Sequence, residues 1–170
     1  MGVTTYTGLY KIYGRRRLKV ISQLGRFHLN NDKVLLDFGC GNKELKNYVF
    51  SMQYNGFDID PVLTTIKDWQ SLKIHTFVAN DVLCYFTRKE LSELFKILKK
   101  HETIEQIIIG VAIQNNLSKF FKFLFGKKNA HDGTISNYPV QRIAITENFK
   151  IKKIKRIFWV SELYLLEKIN

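Results

Sequence analysis

Apolar residues along this chain follow two rhythms, and the alternation between them predicts the fold. Leu18, Ile21 and Leu24 stand at helical spacing, which predicts a leading helix over 15–24. A polar turn, Asn30-Asn31-Asp32, separates it from Val34-Leu35-Leu36-Asp37-Phe38, a run apolar enough for a strand buried on both faces of a parallel sheet. After Gly39-Cys40-Gly41, the positions Leu45, Tyr48, Val49 and Met52 return to the one-face spacing of a helix. A second strand is expected over 54–59, where Pro61 stops the ladder, then a short third over 64–69 and a fourth over 74–79.

The strongest helix signal starts at Thr87. Thr87-Arg88-Lys89-Glu90 reads as a capping box, Leu91, Leu94, Phe95 and Leu98 form the apolar stripe, and Lys99-Lys100 suit the negative end of the helix dipole. A buried, β-branched fifth strand is expected over 105–113, helices over 117–125 and 139–146, and two final strands over 149–160 and 163–169 joined near Ser161-Glu162. Strands alternating with helices predict an α/β fold: a doubly wound, mostly parallel seven-stranded sheet with an antiparallel C-terminal hairpin strand and helices on both faces. The 170 residues suit one domain, with 1–30 as an N-terminal helical extension and no linker or repeat inside. Lysines between Lys150 and Lys155 would blunt the final edge against aggregation.

Chemistry concentrates at the first strand-turn-helix unit. Gly39 and Gly41 let the backbone turn sharply and approach a ligand, and a helix that follows would aim its N–H groups at whatever sits there. Asp37 closes the strand at the crevice where open α/β sheets bind ligands. A Gly-x-Gly spacing alone is also met in purely structural turns.

The run Val34-Leu35-Leu36-Asp37-Phe38-Gly39-Cys40-Gly41 resembles the first motif of class I S-adenosylmethionine-dependent methyltransferases. Further segments resemble that family in order. Gly56-Phe57-Asp58-Ile59-Asp60 is similar to its second-strand motif, Asp68-Trp69 to the pair that brackets adenine, and Phe77-Val78-Ala79-Asn80-Asp81-Val82-Leu83 to the segment bordering methionine and acceptor. The helix ending Ile97-Leu98-Lys99-Lys100 and the strand Ile107-Ile108-Ile109-Gly110-Val111 complete a match over about 16–126. The resemblance implies S-adenosylmethionine as cofactor. It would be held by Asp37, Phe38, Gly39, Cys40, Gly41, Asp58, Ile59, Asp68, Trp69 and Asn80, with Asp58 on the ribose hydroxyls. The pattern is broken in three places: Lys43 stands at the third glycine of the extended motif, Cys84-Tyr85 replaces an acidic residue and His, and the link between second and third strands is short.

Methyl transfer needs mainly alignment, because the sulfonium already activates the methyl group. A general base serves only a poorly acidic hydroxyl or a protonated amine, and Asp81, Tyr85 and His131 are the candidates. Each also has a plain surface or hydrogen-bonding reading, and Cys40 reads as a small packing residue.

A formal charge of +12 favours acidic partners, although a lysine-rich composition gives the same figure without any partner. The amphiphilic segment 115–126, with leucines and phenylalanines among lysines, suggests a lid or a peripheral membrane-surface helix. It points to a small-molecule, glycan or lipid-linked acceptor. Nucleic acid is the competing acceptor, and a degenerate, non-catalytic cofactor-binding or interaction module is a further alternative. An NAD-binding reading is disfavoured because the turn lacks the later glycine of the dinucleotide fingerprint. Two cysteines, no zinc-like spacing, no apolar leader and no membrane-length run make a cytoplasmic protein without metal the expectation.

Overall fold

The computed structural model describes residues 8–118, 120 and 133–169. Helix α1 (Gly8–Gly25) leads into β1 (Val34–Phe38), β2 (Gln53–Phe57), β3 (Thr76–Asn80), α2 (Arg88–Lys100), β4 (Gln106–Ala112), α3 (Tyr138–Asn148), β5 (Phe149–Ile157) and β6 (Ser161–Lys168). The sheet has six strands in the order β2-β1-β3-β4-β6-β5. The first four run parallel, and β6 is antiparallel to both of its neighbours.

Burial alternates along the central strands as a two-sided sheet requires. Leu36, Phe77, Ala79, Ile107 and Ile109 face a core closed by α2 and α3. Leu35, Val78 and Ile108 face a second core under α1 and a short 3-10 helix, Glu44–Tyr48. The capping box forms as expected: Glu90 N–H donates to Thr87 Oγ1 at 3.2 Å, and Thr87 N–H donates to Glu90 Oε2 at 2.7 Å.

Six strands rather than seven is a correction, and its reason is local. Residues 64–69, expected as a strand, form bends. Thr64 and Thr65 hydroxyls donate to the Gly56 carbonyl at 3.2 and 3.0 Å, and Gly56 N–H donates to Thr65 Oγ1 at 2.8 Å. Thr65 N–H also donates to the Gly56 carbonyl at 2.7 Å, so backbone and hydroxyl bonds converge on one residue of β2 and no ladder forms, leaving β2 as the sheet edge.

The helix expected around Leu45 to Met52 is a second correction, since only the 3-10 helix Glu44–Tyr48 forms. Residues 44–52 must carry the chain back along a five-residue strand, about 17 Å. An α-helix of that length rises only about 13 Å, so a tighter-wound, longer-reaching path is used. The helix expected over 117–125 lies largely outside the described residues.

Candidate active site

The carboxyl ends of β1, β2 and β3 lie side by side, with Phe38 level with Phe57 on one flank and Ala79 on the other. Chain order reverses between β1 and β3, which is where open α/β sheets leave a ligand crevice. Gly39 and Gly41 take φ of 75° and 47° there. A Cβ on Gly39 would stand 2.4 Å from Val82 Cγ2, so conformation and space both exclude a side chain.

The turn hangs from the end of β2. Gly39 and Cys40 N–H both donate to the Phe57 carbonyl, at 2.7 and 3.1 Å. Gly41 N–H donates to Asp58 Oδ2 at 2.9 Å, and Asp60 N–H donates to Asp58 Oδ1 at 3.1 Å. Asp58 is therefore the clasp between the glycine turn and the β2 end. Lys43 adopts φ 58°, the left-handed form a glycine there would enter freely.

Asp37 lies beneath the turn, 4% exposed, and accepts from the Tyr54 hydroxyl at 2.8 Å. Burial pushes its pKa up to about 7, against the pull of the Tyr54 hydrogen bond and with the Asp58 charge adding to the rise. Burial, with the Asp37 and Asp58 charges, also pushes the Cys40 thiol up to about 12. That agrees with a packing role for Cys40.

The remaining cofactor candidates divide. Phe38 and Trp69 are buried and meet edge to face, centroids 5.6 Å apart, in a cluster with Phe57 and Phe77. Trp69 thus serves the core. Asp68 is exposed and closes its own turn, accepting from Gln70 N–H at 2.9 Å. Ile59 is 87% exposed.

At the end of β3, Asp81 takes φ 59° and its N–H donates to the Gly110 carbonyl at 3.0 Å. Its Oδ2 is ion-paired to Arg17 of α1, a fully buried guanidinium that also donates to the Tyr13 hydroxyl at 2.9 Å. Asp81 Oδ1 and Asn80 Oδ1 are buried and accept no hydrogen bond from any described residue. A Cβ on Gly110 would stand 2.6 Å from both Arg17 Nη2 and Asn80 Oδ1, so a glycine in β4 leaves room for this group. Tyr85 ends the 3-10 helix Leu83–Tyr85, and burial raises its pKa. His131 lies outside the described residues.

Arg17 and Glu162 are buried charged residues for which the sequence raised no expectation. Arg17 sat in a triplet of arginines, but it also falls four residues after Tyr13 and four before Ile21, on the apolar stripe. That spacing was the available signal. Glu162 is 1% exposed and accepts from Tyr138 at 2.6 Å, from Tyr164, and from Arg156 Nε at 2.8 Å. Nothing in its local sequence marks it as buried.

No protein-family model and no curated protein matches the chain. Solved structures do. Magnesium protoporphyrin IX methyltransferase from Synechocystis PCC 6803, with bound SAM, aligns over 99% of this chain and 87% of its own, at TM-score 0.65 and 16% identity. The small RNA methyltransferase HEN1 aligns over 92% of this chain and 25% of its own, at TM-score 0.66 and 11% identity. The pyocyanin biosynthetic protein PhzM aligns over 89% of this chain and 54% of its own, at TM-score 0.68 and 9% identity. The chain has the same Rossmann-like fold as these structures, two of them methyltransferases and one of those holding SAM. No helix among the described residues is long and apolar enough to cross a membrane.

Proposed function

We propose that this protein is an S-adenosylmethionine-dependent methyltransferase whose cofactor lies across the Gly39–Gly41 turn. The observation that carries the reading is the cradle: a positive-φ turn too tight for a Cβ at Gly39, clasped by Asp58 at the point where chain order reverses. The residues suit the group. Backbone at the turn can approach a ligand closely, because no Cβ stands on it at Gly39 or Gly41. When bound, the cofactor would supply an electrophilic methyl group on sulfur.

The chain's own part is alignment. Asp58 retains acceptor lone pairs beyond its two backbone donors and would orient ribose hydroxyls. Asp81, with Oδ2 committed to Arg17 and Oδ1 buried, is assigned to holding α1 against the end of β3 rather than to proton abstraction. Tyr85, a phenol that burial makes a weaker acid still, is suited to donating a hydrogen bond to the acceptor. His131 remains the candidate general base.

The acceptor classes expected from the amphiphilic segment, small-molecule, glycan or lipid-linked, depend on a stretch that lies mostly outside the described residues.

Calorimetric titration of S-adenosylmethionine and S-adenosylhomocysteine tests the reading. Micromolar binding by the wild type that is lost in Asp58→Ala, with the variant still folded by circular dichroism, supports it. Absence of binding by folded wild type overturns it and promotes the non-catalytic interaction module.

A further inference from the structure

A lysine closes the glycine turn, and its surroundings set it apart. Lys43 N–H donates to the Cys40 carbonyl at 2.8 Å, and Lys43 takes φ 58° just before the 3-10 helix Glu44–Tyr48. Arg26 stands in the same position before the 3-10 helix Phe27–Leu29, with φ 50°. The left-handed step is therefore a local way into a short helix and needs no ligand to explain it. The two side chains differ. Arg26 is exposed, as a long cation ordinarily is, whereas Lys43 is half-buried.

An ammonium drawn out of water calls for an anion or for hydrogen-bond acceptors. Lys43 is ion-paired with none of the described carboxylates. The two carboxylates of the turn are engaged elsewhere. Asp58 accepts from the N–H groups of Gly41 and Asp60, and Asp37 accepts from the Tyr54 hydroxyl.

The Lys43 charge nonetheless acts on the turn. Burial and the charges of Asp37 and Asp58 push the Cys40 thiol up, and the Lys43 ammonium pulls against them. Cys40 lies between the two glycines, so the cradle carries charge of both signs. The proposed cofactor does too. Its sulfonium and its amino group are cationic and would be repelled by a lysine, and its carboxylate is its one anionic group. A lysine facing that molecule therefore gains only from the carboxylate, and gains more where water screens the pair less.

We propose that Lys43 is a cofactor-binding residue, its ammonium paired with the carboxylate of S-adenosylmethionine on the Gly39–Gly41 turn. The proposal rests on the methyltransferase reading. It adds to that reading a side-chain contact at a position where a glycine would offer backbone alone.

The test is calorimetric titration of the whole chain with S-adenosylmethionine and with its decarboxylated analogue, which keeps the nucleoside, the sulfonium and the amine. Lys43→Met is expected to bind S-adenosylmethionine about tenfold more weakly, the usual worth of one charge-assisted hydrogen bond, and to bind the analogue no worse than wild type does. Lys43→Gly enters positive φ freely and is expected to lose the same factor, which separates the charge from the backbone. Lys43→Arg is expected to keep most of the affinity. Circular dichroism on each variant checks that it is folded. Equal affinity of Lys43→Met and wild type for S-adenosylmethionine overturns the proposal, and so does an equal loss for both ligands; either result leaves the methyltransferase reading standing. Binding of neither ligand by folded wild type overturns both.

Discussion

Arg17, fully buried on the first helix, is ion-paired with Asp81 at the carboxyl end of β3. The pair joins the leading helix to the floor of the proposed crevice, across 64 residues of sequence. It holds Asp81 in a left-handed conformation with one oxygen committed and the other turned away from any described donor.

Breaking such a pair from one side strands a charge. Arg17→Met is expected to lose about 3–5 kcal/mol in urea denaturation, because Asp81 keeps its burial without its cation. Adding Asp81→Asn, a residue that tolerates positive φ, is expected to recover part of that loss. An Arg17→Met variant as stable as wild type would show that the pair does not hold the helix.

Two glycines separate crowding from conformation. Gly39 and Gly133 both have positive φ, 75° and 86°, but a Cβ at Gly133 meets nothing within 4 Å. Gly133→Ala is expected to cost about 1–2 kcal/mol from the left-handed backbone alone. Gly39→Ala adds a 2.4 Å approach to Val82 and is expected to cost more by about 1–3 kcal/mol, with loss of cofactor binding. Thermal melts and calorimetry on both variants measure the two contributions.

Asp37 makes stability fall as pH rises. Its pKa, about 7 in the fold against 3.8 as an ordinary aspartate, means the folded state holds its proton more tightly than the unfolded state does. The stabilisation is complete below about pH 4 and is lost progressively up to about pH 7. Asp37→Asn keeps an acceptor for the Tyr54 hydroxyl and carries no charge. It is expected to flatten the melting temperature between about pH 4 and 7, read by scanning calorimetry in matched buffers. An unchanged pH profile would mean that Asp37 is ionised throughout.

Both cysteines are expected to be inert. Burial raises Cys40 to about 12 and Cys84 to about 11, so thiolate is scarce near neutral pH. Iodoacetamide at pH 8 is expected to modify Cys40 about a thousandfold more slowly than a free thiol, with denaturant restoring the normal rate. Fast labelling of the native protein would contradict the packing role.

What could be read from the residues followed from local rules. Continuous apolar runs marked β1, β3 and β4, helical spacing marked α1 and α2, and the Thr87–Glu90 box began α2 where it was expected. The glycine turn also emerged from sequence, because a Cβ-free turn after a buried strand is a backbone requirement within a few residues, whereas Asp58 was implied only by the resemblance. The 64–69 strand was misread because Thr64 and Thr65 have strand-like propensity, yet their hydroxyls bond back to Gly56. Propensity does not reveal where a side-chain oxygen will find its partner.

The sequence by itself determined the alternation of elements, the two-sided sheet and the turn that the proposed cofactor site needs, since each depends on spacing within a single segment. Only tertiary structure decided that Arg17 reaches Asp81 at the end of β3 and that Glu162 is buried. Those placements depend on which segments meet across the sheet. Burial of a charge becomes tolerable only once its distant partner, Asp81 for Arg17 and Arg156 for Glu162, is brought within hydrogen-bonding reach.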